Sequence, residues 1–306
     1  MSQTGLQVIP WLVRFITSLT LPLVPIMAQV EKPATPPEPP PQQNTGKPML
    51  VSFACGEDDI RAAGLACTID DPCPLFLELD SVETVGNRIF LAGDLHTATT
   101  TLATILLASD DSGKTWREPH ERIRLSGLDR VQFVDFEHGW ISGEALHPLP
   151  HDPFLLVTSD GGQSWRVQPV FADPQYGSIV QYAFTSPSNG SLVFDRGRGG
   201  EPTRYAMYET MNGGDTWAMR QSSDKPITLK RAGNGNNDWR LRADAATKAY
   251  RVEHRLVDGW HAVASFAVSI GVCKPSETPE SQPAPSPTDH AGTATVPTHA
   301  TPSTPA

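Results

Sequence analysis

Two groups of side chains in this sequence are of types that could do chemistry. Asp135, Glu144 and Asp195 are carboxylates, and glycoside hydrolysis requires two carboxylates that face each other across the scissile bond. The sequence alone does not pair them. His147 and His151 lie four residues apart on a proline-rich segment. They could share a metal ion, but such a pair is more typical of an exposed loop, so we predict no metal site and no cofactor.

The elements that carry these residues form an internal repeat. Three segments share the pattern Ser/Thr-x-Asp/Asn-x-Gly-x-Ser/Thr-Trp, and repeats at a near-constant spacing indicate a repeat architecture. The defining residues are Ser109, Asp111, Gly113 and Trp116, then Thr158, Asp160, Gly162 and Trp165, then Thr210, Asn212, Gly214 and Trp217. A weaker copy follows at Val257-Asp258-Gly259-Trp260.

The pattern is that of a structural turn between two strands. An Asp or Asn side chain folds onto nearby backbone N–H groups. Glycine supplies a positive φ that other residues avoid, and the tryptophan buries a large apolar area under the turn. None of these residues is a nucleophile or part of a metal-binding set. We therefore interpret the motif as structural.

Strand-like runs surround each turn at matching offsets. They are Leu77–Val85, Arg88–Gly93, Leu102–Ser109 and Trp116–Glu118, then Arg130–Phe136, Gly139–Glu144, Phe154–Ser159 and Trp165–Phe171, then Ile179–Thr185, Gly190–Asp195, Arg204–Thr210 and Trp217–Gln221, and finally Ile227–Ala232, Asp238–Ala243, Ala249–Leu256 and Gly259–Phe266. Four strands in every repeat of about 50 residues are typical of a β-propeller blade. We predict an all-β fold, a small β-propeller of about four four-stranded blades.

The repeat resembles the Asp box, or BNR repeat, of sialidase-type propellers. Residues 133–143, with the pattern Phe-x-Asp-x-x-x-Gly-Trp-x-x-Gly, resemble the photosystem II assembly and stability factor-like branch. The resemblance covers about residues 75–266 and implies a toroid of blades that assists the assembly of a membrane complex. Members of that family have more blades than the four counted here. A four-blade ring, a partial ring and a ring completed by residues 49–55 are therefore all open.

Three loops on the side opposite the Asp boxes form a candidate binding face, because loops on a rigid scaffold are where binding residues gather. The loops span residues 94–101, 145–152 and 196–203. They contribute His96, His147, His151, Arg196, Arg198 and Glu201. If the loops converge, they form a polar face with both signs of charge.

Two functions remain open at this point. The resemblance favours a non-enzymatic interaction scaffold that binds a protein partner, such as an envelope or membrane complex. The alternative is a propeller that binds carbohydrate or hydrolyses it in the manner of a sialidase. Sialidases, as their family implies, carry a Phe/Tyr-Arg-Ile-Pro motif before the first Asp box, and this sequence has none. Since a fold alone does not establish activity, we expect no catalytic residue.

Composition excludes one class of partner and divides the chain. The net charge of −10, without a long basic run, argues against nucleic-acid binding. Of the 29 prolines, seven lie in residues 31–48 and eight in residues 274–306. We predict a proline-rich linker over residues 29–48, a propeller domain over residues 49–273 and a disordered tail over residues 274–306, which lacks the apolar surface to fold.

The first 28 residues resemble an export signal. Arg14 is followed by an apolar run, Phe15–Met27, and by a small residue, Ala28. The run is short for a membrane-spanning helix, which needs about 20 residues. An uncleaved anchor over Leu6–Met27 is the alternative, although it would place Arg14 in the membrane at a cost of a few kcal/mol. In both cases we expect the protein to be exported, periplasmic or extracellular.

Four cysteines fit an oxidising compartment and allow three pairings. We favour Cys67–Cys73, which closes a short loop, together with Cys55–Cys273, which joins the beginning of the domain to its end. No two of the cysteines have the Cys-x-x-Cys spacing common in zinc sites.

Overall fold

The computed structural model describes residues 40–197, 203–229 and 237–275. The predicted export signal (1–28), residues 29–39 of the linker and the tail from residue 276 onward lie outside this part of the chain. No helix among the described residues is both long and apolar enough to cross a membrane.

Nearly every element is a strand. In chain order the elements are β1 (Gln42–Gln43), α1 (Glu57–Ala62), β2 (Cys73–Val85), β3 (Arg88–His96), β4 (Thr101–Ser109), β5 (Thr115–Trp116), β6 (Ser126–Phe133), β7 (Gly139–Ala145), β8 (His151–Thr158), β9 (Arg166–Pro169), β10 (Ser178–Phe184), β11 (Gly190–Asp195), β12 (Tyr205–Thr210), β13 (Ala218–Ser223), β14 (Trp239–Asp244), β15 (Ala249–Leu256), β16 (Gly259–Ala267) and β17 (Ser269–Cys273).

The strands form four antiparallel sheets, which we call blades. Blade 1 has the order β17-β2-β3-β4, blade 2 the order β6-β7-β8-β9, blade 3 the order β10-β11-β12-β13 and blade 4 the order β14-β15-β16, while β1 pairs with β5. The predicted all-β fold, a small propeller of about four blades, is confirmed. Three details differ from the predicted strands. The strand predicted over Trp116–Glu118 is β5, which spans Thr115–Trp116 and pairs with β1 outside blade 1. β17 joins blade 1 instead of staying with its neighbour in sequence, and residues 227–229 form no strand, while residues 230–232 lie outside the described residues.

Apolar clusters between neighbouring blades hold the domain together. One cluster lies between blades 4 and 1, with Phe266 and Leu91 at its centre. A second lies between blades 1 and 2, with Phe90 and Ile141, and a third between blades 2 and 3 around Trp140. Alternate residues of the central strands face opposite neighbours, since side chains of a strand alternate between its two faces. This explains why β3, β4, β7 and β8 are almost wholly buried.

The Asp boxes shape these interfaces. In the first box the Asp111 carboxylate accepts hydrogen bonds from the backbone N–H groups of Lys114 and Thr115, at 3.0 and 2.9 Å. The Ser109 hydroxyl accepts the N–H of Gly113 at 2.8 Å. The same bonds recur around Asp160 and, in part, around Asn212. The turn is therefore locked by side-chain acceptors and leaves its glycine free to approach another blade.

Each Asp-box glycine lies against the preceding blade. A Cβ at Gly162 would be 2.4 Å from the Phe90 ring of blade 1, and one at Gly113 would be 2.6 Å from Val263 of blade 4. Both glycines have positive φ, +84° and +89°. Only glycine combines that backbone conformation with so close an approach. The boxes thus set the contact of blade 2 with blade 1 and of blade 1 with blade 4.

The chain termini of the domain close blade 4 onto blade 1. Met49 forms a parallel bridge with Phe266 of β16, and Gln42 pairs with Trp116 of β5. A disulfide joins Cys55 to Cys273, and a second joins Cys67 to Cys73. Blades 3 and 4 are in a different relation, because among the described residues no apolar cluster joins them. The segment that follows blade 3 is held to that blade by the Gln181 side chain, which donates to the Ile227 carbonyl at 3.2 Å and accepts the Leu229 N–H at 3.1 Å.

Candidate functional site

The three loops predicted as a binding face follow β3, β7 and β11, at the end of the blades opposite the Asp boxes. We call this end the loop face. His96 ends β3, and its ring nitrogens lie 2.7 Å from the Thr97 carbonyl and 3.7 Å from a Glu78 oxygen. His151 begins β8, with Nδ1 2.7 Å from the Leu149 carbonyl.

Of the remaining four residues predicted for this face, the structure describes two, Arg196 and His147. Arg196 follows β11 and donates to the Tyr208 hydroxyl at 3.2 Å. His147 lies in the loop after β7, near Gly64 of the segment that follows α1. Arg198 and Glu201 lie outside the described residues. His96, His151 and Arg196 thus bond to nearby groups, and in the described residues no group of three His, Cys, Asp or Glu is placed to hold a metal ion.

Four carboxylates that the predicted face did not include line a cavity of about 210 Å³ between blades 1 and 2. We call it the acidic pocket; its carboxylates are Asp80, Asp94, Asp129 and Glu144. Asp94 and Glu144 hold the same position near the ends of β3 and β7. Asp80 and Asp129 occur where the strand register shifts in β2 and β6. Such a bulge redirects a side chain, and here both carboxylates line the pocket.

The acidic pocket raises the pKa values of its carboxylates. Burial, opposed by the hydrogen bond from Ser178 at 2.9 Å and reinforced by the charge of Asp129, raises the pKa of Glu144 to about 7. Burial raises the pKa of Asp94 to about 6. Burial also raises the pKa of Asp129, and burial together with the charges of Glu78 and Asp94 raises that of Asp80 to about 7. Near neutral pH the pocket therefore holds both protonated and charged carboxyl groups.

A larger groove of about 750 Å³ lies beside the acidic pocket, between blades 2 and 3. We call it the apolar groove; it is lined by Leu149, Pro150, Pro174, Tyr176, Val180 and Arg196, among others. Tyr176 is 68% exposed, Leu149 61% and Val180 44%. Val180 lies at the register shift of β10, which is the position that Asp80 holds in blade 1 and Asp129 in blade 2. The same position is thus acidic in two blades and apolar in the third.

Ser178 connects the two cavities, since it lines the groove and donates its hydroxyl hydrogen to Glu144 of the pocket. The carboxylates considered from sequence have different positions. Glu144 lies in the pocket. Asp195 lines the groove, where it forms an ion pair with Arg204 at 2.7 Å. Asp135 lies in the turn between β6 and β7, at the Asp-box end, where it contacts His138. Asp135 and Glu144 therefore cannot act as a facing pair.

These features define the class of protein. It is an Asp-box propeller with an acidic pocket and an apolar groove on its loop face. No protein-family model matches the chain, and no curated protein matches it. Solved structures do match. "YCF48 bound to D1 peptide" is 20% identical with a TM-score of 0.37, over 62% of this chain and 56% of that one. YCF48 from Cyanidioschyzon merolae is 19% identical with a TM-score of 0.35, over 62% and 57%.

A glycoside hydrolase is also similar in structure. The GH74 xyloglucanase from Xanthomonas campestris is 14% identical with a TM-score of 0.30, over 60% of this chain and 29% of that one. The resemblance in sequence to an Asp-box propeller is confirmed by the strand order and the Asp-box bonds of the chain itself. The chain spans a little over half the length of the YCF48 structures. All these TM-scores are below 0.5, so the fold assignment rests on the chain's own strand order and Asp-box bonds.

Proposed function

We propose that this protein is a non-enzymatic, exported interaction scaffold that binds a protein partner, such as a subunit of an envelope or membrane complex, on its loop face. The apolar groove is the observation that carries this proposal. Its exposed Leu149 and Tyr176 lie in the segments just before β8 and β10, Val180 lies in β10, and all three line the same groove. Contiguous exposed apolar surface rimmed by polar groups is typical of interaction sites, and Tyr and Arg are enriched there.

The two disulfides support export, because disulfides persist in oxidising compartments. The groove also has the size of a site for a few residues of a partner chain, since binding clefts for small ligands span about 300–1,000 Å³. Its mixed rim contains Arg196 and the ion-paired Asp195. Such a rim would orient a partner segment without requiring a strongly charged one.

The test is capture of partners from an envelope extract by the full chain, with one substitution in the groove and one elsewhere. We expect Tyr176→Ser to weaken capture of the specific partner about 30-fold or more, as for an interface residue worth at least about 2 kcal/mol. Met211→Ser is the matched control, because Met211 is 76% exposed but lies in the third Asp box. Equal capture by the two variants would contradict the proposal.

The acidic pocket favours a second candidate function, carbohydrate binding or hydrolysis. Glu144, with its pKa raised to about 7, would be protonated enough to act as a general acid, and Asp80, Asp94 and Asp129 lie around the same cavity. A sialidase-type mechanism is less well supported, because it needs an activated tyrosine. Tyr250 of β15 packs against the apolar cluster between blades 4 and 1, and burial, with the charges of Glu78 and Asp80, raises its pKa instead. If the protein turns over aryl-glycosides and Glu144→Gln abolishes that turnover, hydrolysis is supported. If there is no turnover, the interaction scaffold stays the proposed function.

A further inference from the structure

We propose that the proline-rich tail, residues 276–306, docks in the apolar groove of its own chain. This inference rests on the proposed function in one respect: the groove is the surface proposed for the partner, so a docked tail would compete with it. Tail docking itself requires only the groove and the tail.

The groove has the surface chemistry that proline-rich segments recognise. The Tyr176 ring is 68% exposed, with Pro150 and Pro174 beside it in the groove lining. Flat aromatic and proline surfaces pack against proline rings, and a polyproline II segment has little conformational entropy to lose on binding. Leu149 and Val180 extend the apolar surface along the groove. Since the lining carries few charged side chains, it suits a segment whose contacts come from proline rings.

The tail has the matching composition. Pro283, Pro285 and Pro287 alternate with small residues, and Pro302-Ser303-Thr304-Pro305 has the P-x-x-P spacing of polyproline II ligands. Residues 276–306 contain no aromatic residue, and Val296 is their one large aliphatic residue. Their proline rings are therefore the main apolar groups that they could offer to the groove.

The topology brings the tail to the correct end of the domain. Phe76 of β2 pairs with His96, which lies at the loop face, and Cys73 lies three residues further in that direction. β17 is antiparallel to β2 and ends with Cys273 beside Cys73. The chain therefore leaves β17 at the loop face. The linker, in contrast, joins the domain at Gln42, which pairs with Trp116 of the first Asp box.

The tail is long enough to reach the groove. Thirty-one residues in polyproline II conformation span about 96 Å, at about 3.1 Å per residue. A domain of about 225 residues has a radius of gyration of about 17 Å, and hence a width of about 45 Å. The P-x-x-P segment near residue 302 can therefore reach any point of the loop face from Cys273.

Site-specific photo-crosslinking of the full chain tests the proposal. A benzophenone amino acid replaces Leu149, which lines the groove and is 61% exposed, so that Tyr176 and Val180 remain in place. The control replaces Met211, at the opposite end of blade 3. We expect crosslinks from position 149 to tail peptides within the monomer, at a yield at least ten times that from position 211. Similar yields from both positions, or tail crosslinks that appear only between two chains, would overturn the proposal.

The result can be separated from that of the partner capture described above. If the tail crosslinks to position 149 but Tyr176→Ser captures partners as the unchanged protein does, tail docking holds and the proposed function fails. If capture depends on Tyr176 but the tail does not crosslink, the proposed function holds and tail docking fails. When both hold, replacing Pro302 and Pro305 by alanine should reduce the tail crosslinks and increase capture of the partner.

Discussion

Replacing Glu144 by glutamine should make the stability of this protein less dependent on pH. Glu144 is half-buried in the acidic pocket, and burial, although opposed by the Ser178 hydrogen bond, raises its pKa from 4.5 to about 7. The folded protein therefore binds this proton more tightly than the unfolded chain does. A group of this kind stabilises the fold fully below its unfolded pKa, and its contribution is lost as pH rises through the folded pKa. The relevant window is about pH 4.5 to 7.

The size of the effect follows from the two pKa values of Glu144. A tenfold change in proton affinity corresponds to about 1.4 kcal/mol, so the change from 4.5 to about 7 gives a ceiling of about 3.4 kcal/mol. Solvent still reaches part of the carboxylate and screens it, which reduces the expected value to about 1–2 kcal/mol. Asp80, Asp94 and Glu83 also have raised pKa values, so the unchanged protein should lose more than this amount between pH 5 and pH 8.

The assay is urea unfolding at pH 5 and pH 8 of the unchanged protein, Glu144→Gln and Asp135→Asn. Glutamine retains an acceptor for Ser178, so Glu144→Gln should mainly remove the titration. Asp135→Asn is the control. Although burial acts in the opposite direction, hydrogen bonds from the backbone of His138 and Glu137 lower the pKa of Asp135. Its contribution is therefore constant above pH 5. A Glu144→Gln protein that loses as much stability between pH 5 and pH 8 as the unchanged one would refute the reasoning.

Three further predictions test a blade interface, an Asp-box turn and the disulfides, all by urea unfolding. Gly162→Ala should cost about 2–4 kcal/mol because its Cβ would meet Phe90 at 2.4 Å, whereas Gly56→Ala, with no atom within 4 Å, should change stability by less than about 1 kcal/mol. Asp160→Ala should cost about 2 kcal/mol at neutral pH, and the loss should shrink below pH 4 as the pKa of about 2 is approached. Replacing Cys55 and Cys273 by serine should cost about 5 kcal/mol in the chain-entropy model, against about 2 kcal/mol for Cys67 and Cys73; equal losses would contradict the entropic account.

The fold class followed from the sequence because its signals are local. The Asp-box turns depend on residues within eight positions, as the bonds of Ser109 and Asp111 show. The strand-like runs before each turn likewise reflect alternation along a single strand. The strand β17 was not predicted, because it pairs with β2, almost 200 residues earlier, and no local sequence pattern indicates that pairing.

The candidate site was predictable only in part. The predicted loops supply part of the lining, including Asp94, Leu149 and Arg196, but the pocket and the groove also depend on residues outside those loops. Asp80, Asp129 and Val180 line these cavities where the register shifts. An alignment of the repeats places these three residues in one column, which is the signal that could have found them. What no repeat alignment supplies is the burial that raises the pKa values, because it arises from packing between blades.

The Cys55–Cys273 disulfide has a mechanical consequence. Tension applied between the linker and the tail would pass from Pro40 along residues 40–55, cross the disulfide to Cys273 and continue into the tail. The segment between the two cysteines contains all four blades, and it would carry only the force that the pairings of Gln42 with Trp116 and of Met49 with Phe266 pass to it. The disulfide would thus limit the force on the blades, so that they stay folded while both ends of the chain are pulled.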